Sequence, residues 1–206
     1  MSRRFFIFKN DEKRGIEMKQ WKFTDVLVTI MVGIVFGVIM KFWDDFYTFI
    51  KPILPTMRQL FYGMWFMVGP FAFLLIRKPG AALLASLAGA GLSAFIGHGV
   101  QVLIYGFVQG LAAELLFAAF RYKRYNVAAA GLAGVMSCLG SFLLDLHYGY
   151  ADLEAWALAV KYGLRTISAF VFTGVFAYYL IKALEATKVT KLIRPVSPDE
   201  YEKLGR

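Results

Sequence analysis

The chain is poor in the residues that soluble chemistry relies on. Among 206 residues there are one cysteine and two histidines, so Cys138 forms no internal disulfide and neither requires nor excludes an oxidising compartment. It reads as a packing residue. His98 and His147 each stand in a short loop with no second histidine or cysteine at ligand spacing, and no metal site or cofactor is expected. The H-E-x-x-H, G-x-x-x-x-G-K-[ST] and G-x-S-x-G patterns are missing, so the chain has no means of hydrolysing ATP alone. Charged residues make up 18%, and no polar stretch is long enough for a separate soluble domain. A cleavable signal peptide is lacking too: the apolar patch 5–8 is too short, and Lys9, Asp11, Glu12, Lys13 and Arg14 follow at once. Met18, opening the phrase MKQWKFTD, is an alternative start.

What abounds is apolar sequence. At 59% hydrophobic residues, the chain reads as one integral membrane domain. Six runs have about the length a helix needs to cross a bilayer: 24–43, 59–76, 80–96, 101–120, 127–146 and 155–181. The expectation is an all-α bundle of six transmembrane helices over 23–184, preceded by a basic segment 1–22 and followed by a tail 185–206. Of the 23 Lys and Arg residues, 18 precede the first run, follow the last, or lie between runs two and three or four and five. By the positive-inside rule both termini are cytoplasmic and the protein is a multi-pass component of the cell membrane. Topology thus accounts for a net charge of +9 without nucleic acid as a partner.

Polar residues inside the runs are the candidate site. Glu114 stands near the middle of an otherwise apolar run, where a carboxylate is disfavoured by at least ~2.5 kcal/mol unless it faces protein or water. Gln109 shares that helix. Asp145 closes the fifth run and is followed by His147 and Tyr148, while Lys161 and Arg165 are four apart on one face of the sixth. Two readings stay open: a structural ion pair of Arg165 with Asp145 or Glu114, and a polar pocket opening outward. Trp43, Tyr47 and Tyr62 suit an interfacial belt, and Trp65, about one turn deeper, suits stacking on a flat ligand. The loop between the first two helices is placed to act as a lid. The serines Ser86, Ser93, Ser137, Ser141 and Ser168 read as helix-packing residues rather than nucleophiles. Thr29, Gly33 and Gly37 form a strip without bulk on the first helix, open to a partner helix or to internal packing, and Gly106 with Gly110 forms a second strip read as internal.

The phrases YGMWF (62–66), RKPGAAL (77–83), YGFVQGLAAE (105–114) and FRYKRY (120–125), in this order and spacing, resemble the YkoE-type S components of energy-coupling factor (ECF) transporters. The resemblance spans 18–184. It implies a six-helix, non-catalytic membrane subunit that binds hydroxymethylpyrimidine or thiamine and works with a transmembrane coupling (T) subunit and two ATPase (A) subunits. It also implies that Thr29, Gly33 and Gly37 contact the coupling subunit. Glu114, Gln109 and Trp65 supply the carboxylate, amide and aromatic wall such a ligand needs, with Tyr62, Asp145, Tyr148 and Arg165 beside them. Ser86 and Ser93 stand where family members commonly carry glutamates, which leaves fewer carboxylates for a cation. Another small vitamin-like ligand, an intramembrane enzyme and a purely structural subunit are the competing readings.

Overall fold

The computed structural model describes residues 21–150, 154–187 and 190. The segment 1–20 with the alternative start Met18, and most of the expected tail, lie outside the described residues. Among the described residues there are six helices long and apolar enough to span a membrane, and no strand. They are α1 (Phe23–Ile50), α2 (Met57–Ile76), α3 (Ala81–His98), α4 (Gln101–Ala119), α5 (Val127–Tyr148) and α6 (Ala155–Ala186).

The ends follow local chemistry. Helix α1 runs about two turns beyond its expected end, because nothing between Asp44 and Ile50 breaks a helix and the first proline is Pro52. Arg77 adopts a left-handed conformation (φ 55°) that stops α2, and Gly80 (φ 89°) turns the chain into α3. Asn126 caps α5, its side-chain oxygen accepting from the Ala129 amide at 2.9 Å.

Helix α2 forms the centre, and its inner part, Val68–Ile76, is buried on every side. Phe71, Leu74 and Phe36 of α1 belong to one cluster around it. Phe73 packs against Phe117 with ring centroids 3.8 Å apart. Helices α1, α3, α4, α5 and α6 pack on one another in that order around it.

Small residues set the closest approaches. A Cβ added at Gly33 would lie 2.5 Å from the Ala85 oxygen and 2.6 Å from the Ala88 Cβ, and one at Gly37 would lie 3.0 Å from the Gly89 oxygen. Thr29, Gly33 and Gly37 are therefore covered by α3 of the same chain, and all three are buried. This corrects their assignment to a partner surface: two backbones meet along the strip, leaving no room for a further helix. Gly106 and Gly110 face Ser86 and Ala90 on the opposite side of α3, as internal packing requires.

Candidate functional site

The first half of α2 is wound more tightly than expected. Over Met57–Phe66 the backbone follows a 3₁₀ path, with three residues per turn, so side chains three apart stack in a column. Gln59, Tyr62, Trp65 and Val68 form that column and all line one cavity. On an α-helix each step of three would rotate by about 60°, turning Gln59 and Trp65 away from each other. The opposite face of the turn is held by α6: the Gly63 amide donates to Ser168 Oγ (2.8 Å), which donates to the Leu60 carbonyl (2.6 Å). A Cβ at Gly63 would meet the Ser168 backbone oxygen at 2.3 Å, so only glycine permits this contact.

The cavity measures about 670 Å³, within the ~300–1,000 Å³ range of small-ligand sites. Its aromatic wall consists of Trp65, Tyr62 and Tyr47, with Trp65 5.0 Å from Tyr62 and 5.1 Å from Tyr47 between ring centroids. Gln109, Ser86 and Ser93 line the same cavity. Gln109 Nε2 donates to Ser141 Oγ (2.7 Å), which fixes the amide. Ser93 is buried, and its hydroxyl has no partner among the described residues.

Part of the cavity wall is a buried network. Asp145 accepts from Tyr105 at Oδ1 (2.7 Å), and from Arg165 (2.7 Å) and Tyr162 at Oδ2. Arg165 Nε donates to Gln59 Oε1 (2.6 Å), and its guanidinium lies 3.6 Å from the Tyr62 ring centroid. The ion pair and the pocket, which the sequence leaves as alternatives, are one structure: the pair is part of the wall. Breaking such a buried pair strands a charge, typically costing about 3–5 kcal/mol.

A family model described as ABC-type cobalt transport system, permease component, matches residues 24–140. A Bacillus subtilis (strain 168) protein named as an HMP/thiamine permease, YkoE, is 34% identical over 176 residues, or 84% of this chain and 88% of that one. A crystal structure described as an S-component of an ECF transporter matches with a TM-score of 0.82 at 31% identity, covering 89% of this chain and 94% of that chain. The chain belongs to the YkoE-type S components of ECF transporters.

In this S component the expected residues divide. Gln109, Trp65, Tyr62, Asp145 and Arg165 line the cavity. Tyr148 does not: it is largely exposed and lies beside Tyr105, ring centroids 6.1 Å apart. Glu114 is also outside the lining, and its expected role as the ligand carboxylate is corrected. Its oxygens accept from the amides of Gly80 (2.6 Å), Ala82 (3.0 Å) and Leu83 (3.4 Å), the unsatisfied donors at the start of α3. Gly80 has no side chain to cap that helix, and a carboxylate from α4 does so instead, at the positive end of the helix dipole. The nearby Tyr122 phenol, in the turn after α4, is pushed up to about 12 by burial first and then by the charge and hydrogen bond of Glu114.

The turn between α2 and α3, where Glu114 caps the helix, is clamped from other sides. Lys78 pairs with buried Asp25 of α1, Arg77 Nη2 reaches Glu185 Oε1 of α6 (3.2 Å), and Trp21 Nε1 donates to the Pro79 carbonyl (3.0 Å). The RKPG phrase thus meets Glu114, the last residue of QGLAAE, in a structural joint outside the cavity lining, while Gln109, the first residue of that phrase, lines the cavity. Sequence reasoning missed Gln59, Tyr105 and Tyr162 as parts of the site; the signal was the three-residue spacing from Gln59 to Val68.

Proposed function

We propose that this chain binds hydroxymethylpyrimidine or thiamine from outside the cell and delivers it as the substrate-binding subunit of an ATP-driven ECF complex. Its partners are a T subunit and A subunits, and it performs no catalysis of its own. The observation that carries this reading is the 3₁₀ column, which brings Trp65 and Tyr62 as an aromatic wall into the cavity that the polar side chains of Gln109, Ser86 and Ser93 also line. A flat nitrogen heterocycle needs that pairing of stacking face and hydrogen-bonding edge. The name of the Bacillus subtilis relative supports the same ligand class. The description of the matching family names cobalt, but among the described residues no three His, Cys, Asp or Glu side chains converge as a metal site would require.

The cavity lies at the end of the bundle opposite the basic turns. With those turns and both termini on the cytoplasmic side, as the positive-inside rule directs, it opens outward. Mass spectrometry of small molecules released from the purified protein tests the ligand class. Trp65→Ala should raise the Kd for hydroxymethylpyrimidine about fivefold, for a lost stacking contact on the order of 1 kcal/mol, and should shrink the ligand-induced quench of tryptophan fluorescence. An unchanged Kd and quench would refute the aromatic wall as the binding face.

A further inference from the structure

The carboxamide of Gln59, a residue only 5% exposed, is engaged at one end. Arg165 Nε lies 2.6 Å from it and can only donate a hydrogen bond, so the atom it meets is Oε1 and the amide nitrogen faces another way. Arg165 is itself fixed: Nη1 donates to Asp145 at 2.7 Å, and the guanidinium lies on the Tyr62 ring. The direction of the Gln59 amide is thereby set from α6.

That nitrogen has no hydrogen-bond partner among the described residues, although Gln59 lines the cavity one 3₁₀ turn from Tyr62 and two from Trp65. Buried N–H groups are almost always satisfied. A partner for these two can come from whatever fills the cavity. Service to Arg165 does not account for the amide, since a carboxylate at position 59 would accept the same guanidinium bond more strongly and leave no donor behind. What glutamine adds is the donor. Gln109 is turned the other way: its nitrogen is the atom engaged with Ser141 (2.7 Å), and its oxygen remains as an acceptor.

We propose that Gln59 is a specificity-determining contact, donating from Nε2 to a ring nitrogen of the ligand heterocycle, and that Arg165 is its positioning residue. A pyrimidine offers two such acceptors. A ring with C–H in place of the accepting nitrogen offers nothing at that point and strands a buried donor, which is how a site built around a hydrogen bond rejects the analogue lacking it. Because the carboxamide is oriented before the ligand arrives, little ordering of the side chain opposes binding. This inference rests on the cavity being the heterocycle site proposed above.

The test titrates the full chain in lipid nanodiscs, by calorimetry, with hydroxymethylpyrimidine and with its two pyridine analogues, in each of which one ring nitrogen is replaced by C–H. At least one analogue should bind about tenfold more weakly than the pyrimidine, the scale of one buried hydrogen bond lost. Gln59→Glu keeps an oxygen for Arg165 and removes both donors. It should weaken the pyrimidine about tenfold and bring the Kd values of the pyrimidine and that analogue to within about threefold of each other; if this variant does not fold, Gln59→Met should close the same gap. Equal binding of all three probes by the parent protein, or a gap that survives in the position-59 variants, would overturn the inference and leave the heterocycle reading intact. No binding of hydroxymethylpyrimidine by the parent protein would remove both.

Discussion

Replacing Glu114 separates a binding role from a structural one. Two of its hydrogen bonds, from the Gly80 and Ala82 amides at 2.6 and 3.0 Å, have ordinary geometry, while that from Leu83 at 3.4 Å is long. At about 1.5–3 kcal/mol for each bond to a charged group, two good bonds give a gross effect of ~3–6 kcal/mol. Water entry and relaxation of the α3 terminus reduce this, so Glu114→Ala should lower stability by about 3 kcal/mol. Glu114→Gln keeps one carbonyl oxygen for the amides but loses the charge, and about half that loss is expected. The assay is reversible unfolding in mild detergent, run beside ligand titration of the still-folded fraction. Both variants should show a lowered unfolding midpoint and a Kd within about twofold of the parent, since no cavity contact is removed. A weakened Kd at unchanged stability would refute the capping role and return the carboxylate to the site.

Two further outcomes test the packing and the turn. Gly33→Leu with Gly37→Leu should prevent folding of the isolated subunit, and with it ligand binding, because each added Cβ already meets α3 backbone at 2.5–3.0 Å; normal ligand binding by the isolated double variant would place the strip on an outer face. Tyr122, raised from 10 to about 12 in the folded protein, keeps its proton when folded and loses it on unfolding across that window, so its contribution is complete below pH 10 and disappears as pH rises through 12. The stability difference between the parent and Tyr122→Phe should be flat below pH 10 and fall above it, and parallel unfolding curves to pH 12 would refute the assignment.

The six spans were legible because a bilayer imposes a length and a composition that any run of apolar residues reports. The site was legible only in part. Trp65 and Gln109 could be picked by residue type, but their relation depends on the 3₁₀ winding of Met57–Phe66. That winding is set by Ser168 and Gly63, which are about a hundred positions apart in sequence. A strip such as Thr29, Gly33 and Gly37 announces close approach and does not name the helix that approaches; α3 of the same chain was as compatible with it as a partner subunit.

Glu114 shows the same limit in its charge. The cost of a carboxylate in hydrocarbon says that something must satisfy it, and amides at a helix start do so as well as a ligand. What separates the two ends of this bundle is what their matched charges enclose. At the basic end Asp25 meets Lys78, Glu185 meets Arg77, and Glu114 meets the α3 amides, so the charges there hold helices together. At the other end Asp145 meets Arg165 at 2.7 Å and Lys161 at 3.9 Å, and here the matched charges belong to the wall of a cavity. A buried pair of this kind shapes the site by holding α5 against α6, so its presence beside a cavity does not by itself make either partner a ligand contact.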